Sequence, residues 1–77
     1  MKWEERPLNL THAQLGQEYT ITGIVTDDDE LDSFLFTLGC YSGQSVTVVS
    51  QLRDNYVISV KDGRYSINRD LAEAISI

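Results

Sequence analysis

The sequence predicts a mainly β protein, a small five-stranded barrel with one short α-helix after its first strand. Three observations carry this expectation. Short runs dense in β-branched residues are separated by glycine-containing turns, only one segment shows strong helical periodicity, and 77 residues admit a single core. A chain this short buries only roughly 60 % of its unfolded surface, so that core must be compact. Five short, mostly antiparallel strands are too few for a sandwich, and a parallel sheet would need a crossover helix between strands. They suit a small, partly open barrel that rolls up to reduce its free edges.

Residues 1 to 10 carry Trp3, Pro7, Leu8 and Leu10 without clear periodicity and read as an arm laying apolar groups over the body. Thr11 with Gln14 forms a T-x-x-Q capping-box pattern for one helical turn that Gly16 ends, with His12 exposed inside it. Tyr19 to Thr26 reads as the first strand. Strict alternation would put Ile21 and Ile24 on opposite faces, so Gly23 between them predicts a bulge or bend that returns both to the core.

The helix follows in residues 27 to 43, DDDELDSFLFTLGCYSG. Leu31, Phe34, Leu35 and Leu38 fall at i, i+3, i+4 and i+7, one apolar stripe. Asp27 or Asp28 can cap the free N–H groups at its start, where acids also suit the helix dipole. Gly39 fits the left-handed C′ position, which places Cys40 at C″ and Leu35 at C3 of a Schellman cap. Tyr41-Ser42-Gly43-Gln44 then reads as a type II turn with positive φ at Gly43.

Gln44 to Gln51 alternates as a strand through Val46 and Val48, with Val49 breaking the pattern. Arg53-Asp54-Asn55 is a polar loop, and Tyr56, Ile58 and Val60 mark the inner face of the next strand. Asp62-Gly63 predicts a two-residue hairpin turn into a strand with Tyr65 and Ile67 on one face. Asn68 caps a brief turn through Glu73, and Ile75 with Ile77 supplies the last strand. These elements describe an SH3-like or OB-like barrel, with the helix plugging it or covering its open side.

Twelve acidic and six basic side chains give a net charge of −6. The bases are scattered rather than gathered in the stripe that phosphate binding needs, which argues against nucleic acid. No segment is apolar enough to cross a bilayer, and the start MKWEERPLNL lacks the apolar run of a signal peptide. A single cysteine favours a reducing compartment, so the expected location is cytoplasmic.

The run ITGIVTDDDELDSFLFTLGCYSGQSVTVVS, followed by VISVKDGRYSINRDLAEAISI, resembles the FeoA family of ferrous iron transport proteins. The shared pattern is a strand, a short helix ending in Leu38-Gly39, a step to Gly43, and the valine-rich strand Val46 to Val49. It continues through Gly63, Tyr65, Ile67 and Ala72 to the spaced aliphatics Ile75 and Ile77. The likeness runs over residues 10 to 77 and implies an SH3-like barrel with a non-enzymatic, cytosolic accessory role. The implied partner is FeoB, the membrane GTPase-permease that imports Fe²⁺. Two features depart from the family: Ser42 stands where proline is frequent, and the helix carries Asp29, Glu30 and Asp32 where relatives are often basic.

The residues themselves offer no catalytic constellation. A nucleophile needs an adjacent base, and His12 is the only histidine. Cys40, just past a helix C-terminus, faces the dipole's negative end, which disfavours a thiolate. A tight Fe²⁺ site needs more than one imidazole, and the Asp27 to Glu30 cluster lacks the spacing of a calcium loop, so no metal site and no cofactor are expected. Phe36 is the sharper lead. It lies about 140° around the helix from Leu31, off the apolar stripe. Either Trp3 or Leu8 covers it, or it is an exposed contact for a partner, extended by Tyr41 and flanked by Asp32 on the acidic outer face. Those three residues are the expected partner-binding set. Alternatives to FeoB are a free-standing peptide-binding adaptor, with Trp3, Tyr41, Tyr56 and Tyr65 as groove aromatics, or a metal-regulator-type domain. A full repressor of that kind needs a helix-turn-helix domain that 77 residues cannot hold. Free barrel edges and the arm are also compatible with a homo-oligomer.

Overall fold

A computed structural model describes residues 8–61 and 63–77. Trp3 and Pro7 of the expected arm lie outside those residues. Leu8, the first described residue, is exposed, whereas Leu10 is fully buried. The start of the described chain is tied to its end, because Leu8 O accepts from Ile77 N–H at 2.8 Å and Asn9 bridges Ser76.

Leu10–His12 forms a single 3₁₀ turn. Its cap is Asn9 rather than the expected Thr11: the Asn9 side chain accepts from Thr11 N–H at 2.9 Å, and His12 Nδ1 accepts from Asn9 N–H at 3.2 Å. Both Asn and Thr suit an N-cap, and the one that stands before buried Leu10 takes the position.

The expected first strand is two strands, β1 (Glu18–Thr20) and β2 (Gly23–Ile24). The bend falls at residues 21 and 22, where consecutive amides serve different sheets. Ile21 N–H donates to Gln44 O and Thr22 N–H donates to Ser76 O, each at 2.8 Å. The turn in the chain does return the isoleucines to one core: Ile21 is fully buried and Ile24 packs against it.

This bend corrects the expected architecture. Among the described residues there are six strands, in a four-stranded antiparallel sheet ordered β1-β3-β4-β5 and a two-stranded ribbon of β2 and β6, and these do not close into a barrel. The helix accordingly follows the second strand rather than the first. The remaining strands are β3 (Ser45–Leu52), β4 (Asn55–Val60), β5 (Gly63–Asn68) and β6 (Ile75–Ser76). Val49 is a β-bulge, since Val48 faces Ile58 and Ser50 faces Val57 with nothing opposite Val49.

Alternation in β3 and β4 buries Val46, Val48, Tyr56, Ile58 and Val60 on one face. Ile67 joins them from β5, with Leu10, Leu35 and Ile75 closing the core. A second helix, α2 (Arg69–Ala74), starts at Asn68, whose side chain accepts from Leu71 N–H at 3.0 Å, and buries Ala72 and Ala74.

Both hairpins use a non-glycine residue at positive φ, Arg53 at 59° and Lys61 at 54°. The second is displaced by one residue from the expected Asp62-Gly63 turn. Val60 pairs with Gly63, so Gly63 opens β5, and it is Lys61 that adopts the left-handed conformation. Asp62 lies outside the described residues.

Candidate functional site

The first helix, α1, spans Asp29–Leu38. Asp28 is its N-cap and accepts from Glu30 N–H at 3.0 Å and Leu31 N–H at 3.3 Å. At the other end Gly39 has φ 97°, its N–H donates to Phe36 O at 3.0 Å, and Cys40 N–H donates to Leu35 O at 2.9 Å. That pair of bonds is the Schellman motif, with Leu35 and Cys40 both fully buried as its apolar contact.

Only part of the expected stripe is inside. Leu35 is buried and Leu31 and Leu38 pack against the core, but Phe34 is 48 % exposed. At about 100° per residue, Leu31, Leu35 and Leu38 fall within a sector about 60° wide, and Phe34 lies at its margin.

Gly39 also creates the site. By reversing the chain in the left-handed conformation it brings Tyr41 back onto the last turn of the helix. The rings of Phe36 and Tyr41 lie with centroids 5.0 Å apart at an interplanar angle of 34°. Phe36 is 64 % exposed, so neither Leu8 nor the rest of the described chain covers it. The type II turn that follows is formed as expected, with Gly43 at φ 93° and Gln44 N–H donating to Tyr41 O at 3.1 Å.

The β4–β5 hairpin supplies an opposite wall. The Lys61 ammonium sits 5.1 Å from the centre of the Tyr41 ring, within cation–π range. Its aliphatic stem crosses Gly39 so closely that a methyl there would come within 3.1 Å of Lys61 Cδ. Tyr65 folds over Gly63, where a methyl would lie 2.5 Å from the phenol oxygen. Between these walls runs an open groove of about 620 Å³, bounded by Phe36 and Tyr41 on one side and by Lys61, Gly63 and Tyr65 on the other. A second hollow of about 340 Å³ adjoins it across Phe36 and Thr37 and ends at Asp32 and Ser33.

The structure therefore brings Phe36 and Tyr41 into one groove and sets Asp32 one helical turn away in the adjoining hollow. Lys61 and Gly63 were not legible as site residues, because no local pattern links a hairpin to a helix end about twenty residues earlier. Tyr65 was a candidate aromatic and lies in the groove, whereas Tyr56 is 2 % exposed and belongs to the core.

Other chemistry is constrained by geometry. Burial pushes the Cys40 thiol up to about 11, so it stays protonated and packs rather than reacts. His12 has Nδ1 committed to the Asn9 amide. Among the described residues no three of His, Cys, Asp or Glu gather in a metal-holding arrangement. No helix among them is long and apolar enough to cross a membrane.

Comparison with known proteins agrees with this description. The family model of the FeoA domain matches residues 8–77. No curated protein matches the chain in sequence. Among solved structures, the crystal structure of an iron uptake regulatory protein, FeoA, superposes with a TM-score of 0.81 at 19 % identity, covering 92 % of this chain and 95 % of that one. FeoA from Stenotrophomonas maltophilia, crystallised with zinc, gives a TM-score of 0.78 at 16 % identity over 88 % and 86 % of the two chains. It is described as a procaryotic SH3 domain protein and has been suggested as a ferrous iron transport activating factor. A manganese-dependent transcriptional repressor gives 0.81 at 14 % identity, covering 95 % of this chain but 42 % of the repressor. At these identities the likenesses establish the SH3-like fold.

Proposed function

Because the chain belongs to the FeoA family, we propose that it is a non-enzymatic, cytosolic accessory protein of bacterial ferrous iron uptake that binds and modulates a FeoB-type GTPase-permease. The observation that carries this reading is the groove where Phe36 and Tyr41 meet the Lys61 hairpin. An aromatic 64 % exposed against a second ring is the kind of anchor that dominates protein interfaces. The buried, protonated Cys40 and the engaged His12 support binding rather than catalysis. Fe²⁺ is the cargo of the permease on this reading, and the protein acts through protein contact.

The test is calorimetric titration of the protein with the soluble GTPase domain of a FeoB-type permease. Phe36→Ala should weaken binding about tenfold while circular dichroism and thermal midpoint stay close to wild type. Unchanged affinity in a folded variant would remove the groove from the interface. The likeness to the repressor is one of fold and gives no separate support to a regulatory reading.

A further inference from the structure

Register across the four-stranded sheet sets one acid and one base in line. Glu18 pairs with Thr47, Thr47 with Ser59 and Ser59 with Arg64, so one row crosses β1, β3, β4 and β5. Side chains alternate along each strand, and the neighbouring Val46, Ile58 and Val60 are buried while Tyr19 and Tyr65 pack against the core. The row therefore lies on the outer face of the sheet, with Glu18 and Arg64 exposed at its two edges. Three strand spacings of roughly 4.8 Å hold those two residues about 14 Å apart, too far to pair with each other. We infer that this outer face is where two copies of the chain meet, related by a two-fold axis that runs parallel to the strands between β3 and β4.

That axis reverses the row. Each Glu18 then comes over Arg64 of the other copy, and each Thr47 over a Ser59, so the face is complementary to itself. Neither Glu18 nor Arg64 has an ion pair among the described residues. A partner of one charge sign would satisfy one edge and be repelled at the other, whereas a rotated copy satisfies both. This charge complementarity is what points to a second copy as the occupant.

The shape of the face allows the approach. Ser45, Thr47 and Ser59 are short, and with Glu18 they bound a shallow hollow of about 270 Å³. Stacked sheets stand about 10 Å apart, a gap that a glutamate and an arginine reaching from opposite sides close together. Strands paired over about six residues and spaced about 4.8 Å cover at most roughly 400 Å² per copy. A standard interface covers about 800 Å² per partner, and each copy carries a net charge of −6, so the association is weak. Its Kd is on the order of 0.5 mM. The inference is independent of the FeoB reading, which rests on the groove.

Sedimentation equilibrium and ¹⁵N NMR of the full chain between about 0.05 and 1 mM test it by mass action. The wild type should move from monomer toward dimer over that range. Amide shifts that depend on concentration should centre on Glu18, Thr47, Ser59 and Arg64. Glu18→Arg alone and Arg64→Glu alone each set like charges over one another twice per dimer and should weaken association about tenfold. Both substitutions in one chain restore opposite charges at both ends, and so does an equimolar mixture of the two single variants. Each of those samples should associate like wild type. All the substituted positions are exposed, so thermal midpoints should stay near the wild-type value. A wild type that is still monomeric at the top of the range would overturn the inference. So would single variants that associate as tightly as wild type, or a mixture no better than its components. Concentration-dependent shifts centred on Phe36 and Tyr41 would overturn it in favour of contact through the groove.

Discussion

Replacing Gly39 with alanine tests how the helix cap builds the groove. Gly39 sits at φ 97°, where a side chain costs about 1–2 kcal/mol because Cβ crowds the following carbonyl. Alanine also stiffens the unfolded chain, which offsets roughly 0.4–1 kcal/mol of that cost. The new methyl meets Lys61 Cδ at 3.1 Å and Cγ at 3.4 Å, and a lysine stem yields at a cost of a few tenths. The net loss is about 1 kcal/mol, or a fall in thermal midpoint of roughly 4–8 °C for a domain of this size. Calorimetry or urea unfolding measures it directly. The same substitution in a Lys61→Ala background should cost slightly less, because the contact with the stem is gone. The Tyr41 ring resonances should move in Gly39→Ala, since displacing the stem shifts the ammonium above the ring. A Gly39→Ala protein as stable as wild type, or more stable, would refute the left-handed cap as the element that organises the site.

Leu35 is fully buried, so Leu35→Ala should cost about 2–5 kcal/mol and leave a protein near its unfolding threshold. Urea midpoints at 25 °C will show this. Asp28→Ala removes the acceptor for two helix N–H groups and should cost about 1 kcal/mol, with Asp28→Asn recovering most of it. Cys40 makes stability depend on alkaline pH. Its folded pKa of about 11 lies above the ordinary value of 9.0, so the unfolded chain loses the proton first and stability falls as pH rises from about 9 toward 11. Cys40→Ala should flatten that part of the wild-type pH profile, and an identical slope in both proteins would contradict the assignment. Alkylation of Cys40 by iodoacetamide at pH 8 should be slow in the folded protein and fast in urea.

Several local signals in the sequence formed as written, although the T-x-x-Q pattern at Thr11 gave way to a cap at Asn9. Both caps of α1, the turn at Gly43, the irregularity at Val49 and the cap at Asn68 all formed as the residues indicated. The strand count was not legible, because residues 18 to 24 look continuous and the switch of sheet at Ile21 and Thr22 depends on Gln44 and Ser76, far away in sequence. The second hairpin slipped by one residue because pairing of Val60 with Gly63 outweighed the preference of glycine for the turn itself, leaving Lys61 at positive φ. That slip has a consequence for the site: it sets Lys61 over Tyr41 and leaves Gly63 beneath Tyr65. One side of the groove was thus visible in the helix and the turn after it as Phe36 and Tyr41, with Asp32 in the adjoining hollow. The other side follows from tertiary packing that no periodicity encodes.

The most direct measurement is a residue-resolved NMR titration of the ¹⁵N-labelled protein with the soluble GTPase domain of a FeoB-type permease. The account requires the largest shifts in two stretches, residues 36 to 41 and 61 to 65, with little change along the free edge of β1. No shifts at saturating GTPase domain, or shifts centred on β1 with the groove unmoved, would contradict it.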